Sequence, residues 1–394
     1  MGKKIKYNCI FGGGGIRGIC YIGAVKALQE LNIEIDAIAG SSVGAVFSSF
    51  YAIGYSPDEI KKIMYEFSLN MFRDININIF SPDISMSKGE IFLDWLREKI
   101  ERKFYDKNYK KGENKPVTFF DIDKNLQILT VDLNTNTPYI FSKETTPDVE
   151  IAFAIRASAS LPGLMKPVNF NDAILVDGDL IKSWPAWKVY NTLNNPDSRI
   201  LEFRIEGSRI NSDLKNPQDY VNSLINTIWY LSTENIFDLY SENDRYDYII
   251  IDTKDIILFD FNLDTEIKNG LIEKGYNETK NYFVNILSKK RQQIKACYEK
   301  ILFNINKFKK YIKEENPEKA VFVINETLST MCETTKYIDE YYYHLLKELK
   351  QFLISNIKKS LFLQKKINNI KQIILKTEFL EGLLQERIRD LDIY

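Results

Sequence analysis

Apolar positions in the N-terminal part of the chain follow two rhythms, short solid runs and longer runs at helical spacing. Tyr7 to Phe11 is a short apolar-rich run bounded by the glycines that follow it, which predicts a buried strand. Gly18 to Leu31 sets Cys20, Ala24, Ala27, Leu28 and Leu31 on one side of a helix. A second strand pattern covers Ile33 to Ala39, then Gly40-Ser41-Ser42-Val43-Gly44, then an apolar helix from Ala45 to Ile53. The turn Gly54-Tyr55-Ser56-Pro57 ends that helix, and Pro57 suits the first turn of the next. Strand, helix, strand, helix in this order predicts an α/β fold with a mainly parallel central sheet covered by helices.

The pattern loosens between about 69 and 116, where Pro82, a helix from Gly89 to Lys103 and a charged loop suggest an inserted cap or lid. Strand signals resume at Leu126 to Asp132, Ala173 to Val176, Ile200 to Ile205 and Tyr248 to Ile251, with a helix around Trp229 and Tyr230. From about Ser288 glycine and proline nearly vanish. The helical period then holds through Ile301, Ile305, Phe308 and Ile312, and again through Ile357, Leu361, Ile367 and Ile370. Two to four long helices, broken near Asn316-Pro317, are expected there. The expected domains are therefore 5–288 and 289–394.

Composition narrows this picture. A chain of 394 residues suits two domains, and 44% apolar with 27% charged residues is ordinary for a folded protein. A formal charge of -1 supplies no field that would attract nucleic acid. The four cysteines have neither metal-site nor disulfide spacing, so reduced thiols and a cytoplasmic setting are expected. No run reaches the ~18 apolar residues of a membrane span, and the N-terminal apolar stretch is too short for a signal peptide. A soluble protein that meets lipid only from the water side is expected.

Three segments carry candidate chemistry. Gly40-x-Ser42-x-Gly44 between strand and helix has the form of a nucleophile elbow, in which a tight turn exposes the serine Oγ and small neighbours let strand and helix backbones approach. The helix N-terminus behind it favours developing negative charge. Gly12-Gly13-Gly14-Gly15-Ile16-Arg17-Gly18 can converge several backbone N–H groups on one anion, as an acyl hydrolase needs for its oxyanion. The same glycine spacing matches a dinucleotide fingerprint, but Asp36 lies inside the second strand rather than at its end, and no Gly-Lys-Ser/Thr follows to make a Walker loop. Ile174-Leu175-Val176-Asp177-Gly178 presents an acid at the end of a buried strand. A serine nucleophile needs a base within hydrogen-bond reach. The single histidine, His344, sits far away in a lysine-rich helical segment, which leaves Asp, Glu, Lys or Tyr for that role.

Taken together, these segments resemble the patatin-like phospholipases, which share a glycine-rich oxyanion loop, a Gly-x-Ser-x-Gly elbow and a distant Asp-Gly-Gly/Ala. The block Ala154-Ile155-Arg156-Ala157-Ser158-Ala159-Ser160-Leu161-Pro162-Gly163 is similar to the family's segment ahead of the aspartate. The stretch from Ile249 to Phe283, with Phe259-Asp260-Phe261 and Leu271 to Tyr276, resembles the end of its domain. The resemblance covers residues 5 to about 288. It implies a three-layer α/β/α fold, a Ser42–Asp177 dyad without histidine, and an oxyanion hole lined by Gly13, Gly14 and Gly15. Arg17, Gly18, Gly40, Gly44 and Gly178 would support the site, and neither cofactor nor metal is implied. Asp179 departs from the pattern, standing where the family has Gly or Ala. A like charge there would raise the pKa of Asp177, but alternation along an extended segment turns the side chain away, toward solvent.

The implied activity is hydrolysis of phospholipid acyl esters at a membrane surface, phospholipase A in type, through an acyl-serine. A catalytically silent scaffold or partner-binding protein of the same fold is the alternative. The helices of 289–394 would pack as a module, lie on anionic lipid, or receive an activating protein or small-molecule signal; the resemblance supports the last in kind, since some relatives of this family are gated in that way.

Overall fold

Seven strands form one continuous path through the sheet, and an eighth pairs at its side. They are β1 (Ile5–Phe11), β2 (Ile33–Gly40), β4 (Asn125–Asp132), β5 (Thr137–Ser142), β7 (Val168–Phe170), β8 (Ala173–Asp177), β9 (Arg199–Glu206) and β10 (Tyr246–Asp252), ordered β10-β9-β1-β2-β4-β8-β7 with β5 beside β4. The computed structural model describes residues 5–72, 74, 85–180, 199–207, 223, 227, 246–253, 256, 260, 262–333, 340–357 and 363–392. The helix expected around Trp229 and Tyr230 lies outside these residues, as do Pro82, Phe259, Phe261 and Leu361.

The pairs β10–β9, β9–β1, β1–β2 and β2–β4 are parallel, whereas β5 and β8 run antiparallel to β4, and β7 antiparallel to β8. The fold is thus a mostly parallel α/β sheet with helices around it. A separate two-stranded ladder joins β3 (Ser85–Ser87) to β6 (Gly163–Met165). The helices are α1 (Cys20–Glu30), α2 (Val43–Ala52), α3 (Pro57–Tyr65), α4 (Glu90–Tyr105), α5 (Ile151–Ser158) and α6 (Thr265–Asn281). α3 starts as its sequence predicts, with a capping box in which Ser56 Oγ accepts from Glu59 N–H at 3.3 Å and Glu59 accepts from Ser56 N–H at 2.7 Å.

Two buried clusters fix the central strands. Phe11 packs against Phe203 and Phe47 at 4.9 Å and against Tyr21 at 5.0 Å between ring centroids. At the other end of β1, buried Asp247 accepts from Tyr7 Oη at 3.1 Å and Tyr282 Oη at 2.6 Å and pairs with Arg199 at 3.0 Å. Removing Arg199 would leave the buried Asp247 carboxylate without its counter-charge.

Contacts divide the chain into Met1–Leu239 with Arg245–Tyr282, and Tyr240–Asp244 with Phe283–Tyr394. The second unit contains four helices among the described residues: α7 (Leu287–Lys313), α8 (Pro317–Glu333), α9 (Glu340–Ile357) and α10 (Leu363–Asp392). Ile301, Ile305, Phe308 and Ile312, the periodic positions of the sequence, are buried against Val323, Leu346 and Leu380. The break falls at Asn316, whose side chain accepts from Lys319 N–H at 3.2 Å and opens α8. No helix among the described residues is long and apolar enough to cross a membrane.

α1 and α6 pack with their backbones in contact. A Cβ on Gly23 would stand 1.8 Å from the Ile272 carbonyl oxygen, and one on Gly275 would stand 2.0 Å from that of Cys20. Gly23→Ala is therefore expected to destabilise the first unit by ~1–3 kcal/mol, as overpacking does. The check is the midpoint of its urea transition, and an unchanged midpoint would contradict this packing.

Candidate active site

Backbone crowding dictates the form of the serine turn. β2 ends at Gly40 and α2 begins at Val43, so the chain reverses within two residues. A Cβ on Gly40 would stand 2.3 Å from the Gly44 carbonyl oxygen, and one on Gly44 would stand 2.0 Å from that of Phe11. Only glycine fits either place. Between them Ser42 is held at φ 53° and ψ -125°, outside the regions an L-residue prefers. Such strain persists where the surroundings over-determine it, and it gathers at functional sites. Ser42 N–H donates to Ser158 Oγ at 3.0 Å, and the Ser158 hydroxyl in turn donates to the Leu129 carbonyl at 2.5 Å. Ser42 carbonyl accepts from Ala45 and Val46 N–H, which starts α2 directly behind the serine.

Register explains how the acid reaches this turn. Gly40 pairs with Ile128 on β4, and Thr130, two residues further along β4, pairs with Asp177 on antiparallel β8. Asp177 therefore ends its strand two register positions beyond the level of Gly40, close to the turn that follows β2, and the Ser42 side chain hydrogen-bonds to its carboxyl. The acid ends a buried strand as the sequence predicts, and that strand, β8, enters the sheet antiparallel to β4. Asp177 is 2% exposed. Burial, and then the neighbouring Asp179 carboxylate, push its pKa up to about 8, against the lowering effect of hydrogen bonds from Asp179 N–H and the Ser42 side chain. Gly178 follows because a Cβ there would stand 2.3 Å from the Leu129 carbonyl oxygen.

The glycine loop is held at several points. Gly12 N–H donates to the Phe203 carbonyl at 3.1 Å, and Tyr21 Oη donates to the Gly12 carbonyl at 2.8 Å. Gly15 takes φ 58°, and Gly18 lies so close to Val43 that a Cβ would stand 2.6 Å from its methyl groups. Arg17 is buried and its Nε donates to the Gly14 carbonyl at 3.1 Å, bracing the loop from within. Gly13, expected in the oxyanion hole, donates its N–H to Asp179 Oδ1 at 2.9 Å.

The expectation that Asp179 faces solvent is overturned. The segment after Asp177 is a 3-10 turn, Gly178–Leu180, rather than extended chain, so alternation does not apply. Asp179 is 7% exposed and also accepts from Ser41 Oγ at 3.2 Å. Ser158 and Ser160 carry contacts that residue-by-residue reading missed. Ser160 accepts the Asp177 N–H at 3.0 Å and the Arg156 guanidinium at 2.5 Å, so the block ahead of the aspartate buttresses both candidate residues. The only signal for them was the likeness of that block to the family's. A cavity of about 340 Å³ opens between Lys88, Leu93, Phe153, Arg156 and Lys166. Neither Ser42 nor Asp177 lines it.

Residues 9–189 match the family model described as patatin-like phospholipase. An uncharacterized protein of Acanthamoeba polyphaga mimivirus is 32% identical over 299 residues, covering 71% of this chain and 95% of its own length. A probable lipid hydrolase of Invertebrate iridescent virus 6 is 26% identical over 202 residues, covering 50% of this chain and 69% of that one. A lysophospholipase of Meyerozyma guilliermondii is 29% identical over 179 residues, covering 45% of this chain and 11% of that one. With the glycine loop, the elbow and the Asp-Gly turn assembled on the α/β sheet, the chain belongs to the patatin-like phospholipase family of lipid ester hydrolases.

Proposed function

We propose that the protein hydrolyses acyl esters of glycerophospholipids or lysophospholipids through a Ser42–Asp177 dyad. The observation that carries the reading is the hydrogen bond from the Ser42 side chain to the Asp177 carboxyl, which burial holds basic. Asp177 takes the proton from Ser42 Oγ as that oxygen attacks the ester carbonyl carbon. The resulting oxyanion is met by the loop amides and the N-terminus of α2. Gly13 N–H is engaged by Asp179, which leaves the Gly14 and Gly15 amides as the loop's candidate donors. Collapse of the intermediate passes the proton from Asp177 to the departing alcohol and leaves an acyl-serine. Water then gives Asp177 a proton as it attacks the acyl-serine. The fatty acid leaves, and the proton returns to Ser42. No step calls for a cofactor or metal.

The substrate reading rests on the family and on relatives named as a lipid hydrolase and a lysophospholipase. It implies peripheral contact with a membrane during catalysis. The helical unit leaves Phe303, Phe322, Leu375 and Phe379 exposed, which suits docking to lipid or to an activating partner. Regulation through residues 289–394, as a domain separate from 5–288, is part of this proposal. Replacing Phe303 and Phe322 by Ser should alter turnover on vesicles while leaving turnover of a soluble ester unchanged. Equal vesicle turnover by parent and variant would argue against docking through these rings.

Ser42→Ala should lower fatty-acid release from phospholipid vesicles by at least ~10³-fold. Asp177→Asn, which keeps the shape but cannot accept the proton, should come close to it. Substantial release by either variant would contradict the dyad. The base works only when ionised, so kcat/KM should rise with pH up to about 8 and fall as pH drops below that value. Folding stability should run the other way. A carboxyl whose folded pKa is raised binds more protons in the folded state, so stability declines as pH rises from the ordinary carboxylate range toward 8. Urea midpoints across that range provide the check.

A further inference from the structure

Asp179 is buried within the site, yet the proposed chemistry gives it no proton to move. Its own N–H donates to Asp177 Oδ1 at 2.8 Å, and its Oδ1 accepts from Gly13 N–H at 2.9 Å and Ser41 Oγ at 3.2 Å. These three partners belong to the acid's strand, the glycine loop and the elbow, segments that nothing in the chain order makes neighbours. The fit is close. A Cβ on Gly13 would stand 2.6 Å from Asp179 Cγ, so the carboxyl fills the space that the glycine leaves.

We infer that Asp179 is a positioning residue for hydrolysis, clamping the oxyanion loop and the elbow to the turn that carries the base. The inference rests on the Ser42–Asp177 reading and deepens it. Oxyanion donors are useful only within ~2.7–3.1 Å of the developing charge. A glycine run has little stiffness of its own, so its register must come from bonds such as these. Arg17 Nε braces the loop at Gly14, one residue beyond the Asp179 contact. With alanine at 179, the Gly13 amide and the Ser41 hydroxyl would both lose their acceptor. A displacement of ~1 Å at a reacting centre costs ~10²-fold in rate.

Charged groups acting around Asp179 are Asp177, Glu202 and Tyr21 on the acidic side and Arg17 and Arg204 on the basic side. Because the Asp179 charge helps to raise the pKa of Asp177, removing it has a pH signature that a merely structural residue lacks.

The test measures kcat, KM and pH profile of the full chain on p-nitrophenyl butyrate, with folded fraction set by circular dichroism. Asp179→Ala should lower kcat ~10–100-fold at nearly unchanged KM, the pattern of an interaction lost in the transition state alone. Asp179→Asn keeps an oxygen acceptor for both donors, so kcat should stay within ~3-fold of the parent while the acid limb moves to lower pH. Asp179→Ala with parental kcat, or Asp179→Asn as impaired as Asp179→Ala, would overturn the role. Should Asp179→Ala fail to fold, Ser41→Ala deletes one clamp bond and should still reduce kcat. Parental kcat in Ser41→Ala would then count against the clamp. Ser42→Ala separates the two claims. Hydrolysis that survives Ser42→Ala contradicts the dyad, whereas hydrolysis lost there but kept at parental kcat in Asp179→Ala contradicts the positioning role alone.

Discussion

The contact on which the site depends is the approach of the Ser42 turn to the end of β1. There the backbone at Gly44 comes so near the Phe11 carbonyl that a methyl group would stand 2.0 Å from its oxygen. Ser41 N–H donates to that same carbonyl at 3.1 Å. This places the start of the glycine loop, which follows Phe11 directly, beside the strained serine. The aromatic cluster of Phe11, Phe47, Phe203 and Tyr21 lies under the junction and resists its separation. Strain at Ser42, of order 1–3 kcal/mol for such a conformation, is held by these contacts.

A second consequence of that junction is electrostatic. Asp177, Asp179 and Glu202 are all less than a tenth exposed, and the Asp179 charge raises the pKa of both Asp177 and Glu202. Burying carboxylates is expensive unless they are hydrogen-bonded or paired. The chain meets that requirement with the Gly13 amide and the Ser41 hydroxyl at Asp179, with Arg204 at Glu202, and with the partners of Asp177 described above. An acid that is easily protonated is the chemical gain, since a base with a pKa near the working pH removes a serine proton better than an ordinary carboxylate.

Much of this was legible in the sequence because periodicity and glycine spacing report backbone needs. The first two strand–helix units, the elbow, the acid and the helical C-terminal unit all follow from those signals. The direction of β8 was not read, although Asn171-Asp172 forms a two-residue hairpin between Phe170 and Ala173, with Asn171 at φ 53°. The signal was present but attached to strands of only three and five residues. α5 was missed as a helix because its eight residues are too short to show a period, and β5 because its alternation is weak. Asp179 was misplaced for a different reason. Its orientation depends on the 3-10 turn and on Gly13 across the site, a tertiary contact that no local rule contains.

The most direct test of the central claim is covalent labelling by a fluorophosphonate, with the modified residue identified by peptide mass spectrometry and the labelling rate followed against pH. The account predicts that the label falls on Ser42, that its rate rises with pH toward a plateau above about 8, and that Asp177→Asn nearly abolishes it. A label on another residue, or an undiminished rate in Asp177→Asn, would contradict the dyad.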